Sequence, residues 1–222
     1  PQENAVWEVN PGTGDNALVV ELKDLPKDQV NTEGRLPGLN GPGLRVIGGH
    51  QDQSGHGELF VADLYGKEPR TYVFSTAQAK PGDHLRLLRV LPARPWSLAW
   101  LSDGRCVAAM DRTVDFFDPQ TGATTPFIAA GIEAPYAVAI DGHDRIYVSD
   151  QGGYPGIRWN PYAALPQRAM RITAHAAMQI KIFDRHGRLL QVMGKEGGQP
   201  AGTIDAHDFW RPAGLAIDSQ GH

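Results

Sequence analysis

The 222 residues include one cysteine, Cys106, so no internal disulfide can form. It lies in the apolar strand "RCVAAM", which predicts a small core residue rather than a nucleophile. No apolar run approaches the ~20 residues of a membrane-spanning helix. No stretch of Lys and Arg forms a basic stripe, and the formal net charge is −4, so neither a nucleic-acid partner nor a membrane span is expected. Helical periodicity is nowhere sustained. No Gly-x-Ser-x-Gly elbow occurs, and "GKEGG" lacks the glycine spacing of a phosphate loop.

Turn-forming residues are plentiful: 26 Gly and 17 Pro against 41% hydrophobic and 21% charged residues. That balance suits many short strands joined by tight turns. Repetition organises them. "RPWSLAWLSDGRCVAAM" (94–110), "APYAVAIDGHDRIYVSD" (134–150) and "RPAGLAIDSQGH" (211–222) each place a Pro before an apolar strand, then a polar turn. Proline suits the first position of a strand, where its missing N–H does not interrupt the ladder. A second pattern recurs as "VWEVNPGTG", "VDFFDPQTG" and "IKIFDRHGR", each followed by another apolar strand. The unit is therefore four strands, A to D. In its clearest copy A is 136–141, B is 145–149, C is 179–183 and D is 189–193. The opening prolines are Pro42, Pro95, Pro135 and Pro212, spaced by 53, 40 and 77 residues.

A period near 40 with four short strands marks a propeller blade. The fold class expected is all-β, a β-propeller of four-stranded antiparallel blades, against a sandwich of unrelated strands as the alternative. The boundaries read as a partial blade and linker (1–41), blades at 42–94 and 95–134, a blade at 135–211 with a long insertion at 151–178, and the start of another at 212–222. Because strand patterns at both ends are incomplete, the chain is expected to be a piece of a longer protein whose remaining blades complete the ring.

The segments "PYAVAIDGHDRIYVSD", "QIKIFDRHGRLLQVMGKEGG" and "FWRPAGLAIDSQG" resemble NHL repeats. That resemblance implies a propeller, usually six-bladed. It also brings two metal-dependent precedents. The peptide-amidating lyases carry zinc-binding His directly after the blade-opening Pro; here those positions are Trp96, Tyr136 and Ala213, none a metal ligand. Lactonase-type propellers hold a divalent cation in the channel with Glu, Asn and Asp. Asp63 and Asp150, which end "FVAD" and "YVSD", are expected instead to bond backbone groups of their own turns.

Blade topology puts the B–C loops and the D-to-A connections on one face. The 151–178 insertion lies there and holds Tyr154, Arg158, Trp159 and Tyr162; the connection 195–211 adds His207, Asp208, Trp210 and Arg211. Trp96 and Tyr136 follow the opening prolines on that side. Aromatic faces there could stack on a sugar ring while Arg grips a carboxylate or phosphate; equally, they could cap the apolar edges of the blades. His175 and His207 share this face, whereas His143 and His186 fall in turns on the other. The function expected is a binding or scaffold module for a glycan, peptide or partner domain, with no cofactor and an extracellular or periplasmic location. The alternative is a propeller hydrolase or lyase with a divalent metal in its channel.

Overall fold

The structure is a computed structural model that describes residues 5–21, 24–25, 44–51, 56–63, 68–151, 177–198, 205, 207–209, 212–218 and 220–221. The all-β expectation holds: the described residues form fourteen strands and no α-helix. Strands β1 (Ala5–Val9) and β2 (Asn16–Glu21) make a two-stranded antiparallel sheet. Three four-stranded sheets follow. The first comprises β3 (Leu44–Gln51), β4 (Gly57–Asp63), β5 (Thr71–Ser75) and β6 (Arg86–Leu91). The second comprises β7 (Ser97–Trp100), β8 (Cys106–Ala109), β9 (Val114–Phe117) and β10 (Thr124–Ile128). The third comprises β11 (Pro135–Ile140), β12 (Ile146–Asp150), β13 (Gln179–Phe183) and β14 (Leu189–Met193). In each, spatial order equals sequence order and every pairing is antiparallel.

The three sheets share one register. Val46 faces Val61, which faces Tyr72. Leu98, Ala108 and Asp115 occupy the corresponding row of the second sheet, and Val138, Val148 and Lys181 that of the third. Burial explains the composition of each strand. The second strands, β4, β8 and β12, are covered on both faces and read as near-continuous apolar runs. The last strand of the third sheet is exposed along its whole length, Leu189, Leu190, Val192 and Met193 included.

The turns repeat as closely as the strands. Asp141 Oδ1 accepts the backbone N–H groups of His143 and Arg145, both at 2.9 Å. Asp184 Oδ1 does the same for His186 and Arg188, also at 2.9 Å. Asp218 Oδ1 accepts from Gln220 N at 2.9 Å and Asp218 O from Gly221 N at 3.0 Å, as Asp184 O does from Gly187 N, although among the described residues 212–218 join no sheet. Each such turn needs a left-handed residue at its fourth position. Glycine supplies it at Gly104, Gly187 and Gly221, but Asp144 occupies it at φ 59°.

The chain forms two compact units, Pro1–Arg94 with Gln120–Gly122, and Pro95–Pro119 with Ala123–His222. In the first, Val6, Val19, Val20 and Leu25 pack with Val61, Tyr72 and Phe74. In the second, Val107, Val114 and Ile128 share a core with Val138, Ile146, Val148 and Phe183, which joins the second and third sheets. Cys106 is buried, and burial raises its thiol pKa, as suits a core residue rather than a nucleophile.

Candidate functional site

Two aromatic side chains stand where the second and third sheets begin. Pro95 and Trp96 lead into β7, and Trp96 N donates to Ala109 O at 2.8 Å. Pro135 opens β11, and a register shift between Pro135 and Ala137 turns Tyr136 out of the ladder. The Trp96 and Tyr136 rings stack with centroids 5.4 Å apart and planes 27° from parallel. Both are half-buried, and Trp96 also packs on the core shared by the two sheets. The indole N–H donates to Asp111 Oδ1 at 3.1 Å. The outcome is an aromatic platform with a carboxylate beside it, fixed from below by core packing.

The loop that delivers Tyr136 is held by a buried ion pair. Asp150 Oδ1 accepts Ala134 N at 2.8 Å, and its Oδ2 accepts Glu133 N at 3.0 Å and Lys181 Nζ at 2.7 Å. Lys181 Nζ also donates to Gly131 O at 2.7 Å. Asp150 is fully buried and Lys181 nearly so. Every donor and acceptor named here is therefore matched, which is the condition under which burying such a pair is tolerable. The latch ties residues 131–134 to β12 and β13 and so sets where Tyr136 stands. The backbone groups that Asp150 is shown to bond are those of the connection entering its sheet. Gln151 adds a bond from its Nε2 to Pro212 O at 3.2 Å.

At the corresponding place in the first sheet Asp63 is fully buried, and its charge, after burial itself, raises the pKa of Tyr72. Arg94 Nη1 donates to Asp63 O at 3.2 Å. In the second sheet Met110 replaces the aspartate and Asp115 stands where Lys181 does; Asp115 Oδ1 is buried without a hydrogen-bond partner among the described residues.

On the opposite edge of the second and third sheets the turns interlock. Asp144 accepts Ser102 N and Ser102 Oγ, each at 2.7 Å, and Arg185 reaches Asp103 at 2.8 Å. Hydrogen bonds from the Arg105 side chain, then from its backbone N–H, lower the pKa of Asp103 to about 2. His143 and His186 lie in these turns.

Of the ten binding candidates, Trp96 and Tyr136 are brought together. His207 is almost wholly solvent-exposed and pairs with Asp205 at 3.2 Å, while Asp208 accepts Lys195 N at 3.0 Å. Both are engaged within the connection after β14. Tyr154, Arg158, Trp159, Tyr162, Trp210 and Arg211 lie outside the described residues, as does His175. Sequence reasoning passed over Asp111 and Lys181. Lys181 did leave a signal, a lone cation in the apolar alternation of "QIKIF".

No known family's sequence profile matches this chain, and no curated protein does. Among solved structures it is similar to a gluconolactonase from Xanthomonas campestris, with a TM-score of 0.43 and 16% identity over 85% of this chain. It is also similar to a protein from Bacteroides caccae, with a TM-score of 0.41 and 12% identity over 85% of this chain and 68% of that one. The chain spans about half of the gluconolactonase, 54%.

Proposed function

We propose that the four-stranded sheets are blades of an NHL-type β-propeller and that the protein is a binding module, taking the ring of a glycan on Trp96 and Tyr136. The Trp96–Tyr136 stack carries this reading. Both rings are part-exposed, so an apolar sugar face could pack on what the stack leaves open, and the Asp111 carboxylate beside Trp96 can accept sugar hydroxyls. Stacking and the Trp96–Asp111 bond already orient the rings, so little ordering cost falls on binding. The exposed apolar length of β14 supports further blades beside it, supplied by the remainder of the propeller. A partner peptide or domain is the other occupant the rim could take.

Oligosaccharides titrated into the protein, with tryptophan fluorescence and calorimetry as readouts, test the reading. At least one glycan is expected to bind without added metal, and Trp96→Ala to weaken it by about tenfold or more, as for a central aromatic contact. If no glycan binds, or Trp96→Ala binds as the parent does, the aromatic rim is not the site. Binding abolished by a chelator would instead favour the channel-metal hydrolase.

A further inference from the structure

Glu21, Asp24 and His84 converge in the first compact unit, which contains no part of the aromatic rim. One ligand atom from each lies within 4.8 Å of the others. Asp24 Oδ2 stands 3.0 Å from His84 Nδ1 and accepts Glu21 N at 2.8 Å. The Asp24 carboxylate is thus already oriented by backbone, and its side chain is only 17% exposed. Two ligands of one zinc-class ion lie about 3.4 Å apart in tetrahedral geometry, given metal–ligand bonds of about 2.0–2.2 Å. The observed separations need only small side-chain movements to meet that. Glu21 adds a second carboxylate to the Asp24–His84 pair.

His84 also lines an open cavity of about 460 Å³. His56, Ser75, Gln78, Asp83 and Arg86 share its wall. An ion beside His84 would have solvent, or a small anionic ligand drawn by Arg86 and His56, within reach for its remaining positions. Three protein donors with an open position is the pattern of an exchangeable or reactive zinc site; closed structural sites use four. The mixed set of one imidazole and two carboxylates favours zinc over calcium, which takes six to eight oxygens.

We propose that Glu21, Asp24 and His84 form a binding site for a zinc-class divalent cation, open to the adjoining cavity. The proposal is independent of the aromatic-rim reading and stands or falls by itself.

Calorimetric titration of zinc into the chelator-stripped full chain tests it, with Tm followed in parallel. One zinc per chain is expected, together with a rise in Tm because only the folded state assembles the three donors. His84→Ala, Asp24→Asn and Glu21→Gln are each expected to weaken zinc by about tenfold or more. His207→Ala, which alters an exposed His–Asp pair elsewhere, should leave it unchanged. Glu21→Gln keeps the backbone N–H that orients Asp24, so it carries the test should Asp24→Asn fail to fold. Absence of zinc binding, binding indifferent to His84→Ala, equal loss in His207→Ala, or calcium bound as tightly as zinc would each overturn the assignment.

Discussion

The second and third sheets share a register, a turn pattern and a core, yet they differ in what they bury beside it. In the third, Asp150 and Lys181 close an ion pair that also takes up Glu133 N, Ala134 N and Gly131 O. In the second, the same two positions hold Met110 and Asp115, and no latch can form. The core ladder does not register the change: Ser97 faces Ala109 as Ala137 faces Ser149, and Leu98 faces Ala108 as Val138 faces Val148. What changes is how each aromatic is set. Tyr136 is positioned by an ion pair beneath its loop, Trp96 by its own indole N–H on Asp111. Backbone pairing therefore makes the sheet, and buried charge decides how firmly the connection entering it is held.

Breaking the latch from one side should have the largest effect. Lys181→Met leaves the Asp150 carboxylate buried without the cation that its Oδ2 binds. Chemical denaturation is expected to show a loss of about 3–5 kcal/mol, the usual cost of removing one partner of a buried pair. The double change Lys181→Met with Asp150→Leu should recover part of it. A loss under about 1 kcal/mol for the single variant would mean that the latch is dispensable, and the contrast between the sheets would lose its energetic meaning.

The repeat was legible in the sequence because its punctuation is chemical. Pro135 opens the first strand of the third sheet and Pro95 stands two residues before that of the second, and Asp or Gly sits where the turns demand bonding or a left-handed residue. Strand existence followed from alternation and from the buried runs of β8 and β12. The side-chain partnerships were less visible, since they join residues remote in sequence. Lys181 and Asp150 are 31 positions apart, and His84 and Asp24 are 60 apart. Nothing local in "VVELKDLP" distinguishes Glu21 and Asp24 from ordinary solvated carboxylates. Asp111, by contrast, directly follows Met110, the residue that stands where the third sheet has Asp150, and is the acceptor that the Trp96 indole finds there.

A smaller effect is expected at the interlocked turns. Asp144 occupies a left-handed position that Gly104 and Gly187 fill without strain. Asp144→Gly removes a strain of about 1 kcal/mol, but it also deletes both bonds to Ser102. Hydrogen bonds to a charged acceptor contribute about 1.5–3 kcal/mol each; at the low end of that range, as suits a part-buried pair, the two bonds less the strain leave a net loss of about 2 kcal/mol in thermal or denaturant unfolding. A gain in stability would show that the bonds to Ser102 are worth less than the strain and that the turns do not hold the sheets together.

The smallest expected change has the opposite sign and probes the sheet without a latch. Asp115 keeps a carboxylate oxygen buried with no hydrogen-bond partner among the described residues, and desolvating such an atom uncompensated is unfavourable. Asp115→Val has the right branching for a strand and little added bulk beside Ala108. Its stability should equal the parent's or exceed it by about 1 kcal/mol, whereas Lys181→Met at the equivalent position is strongly destabilising. Should Asp115→Val instead destabilise by more than about 2 kcal/mol, the carboxylate must be engaged in an interaction of its own. The two sheets would then differ in the identity of their buried polar contact rather than in having one.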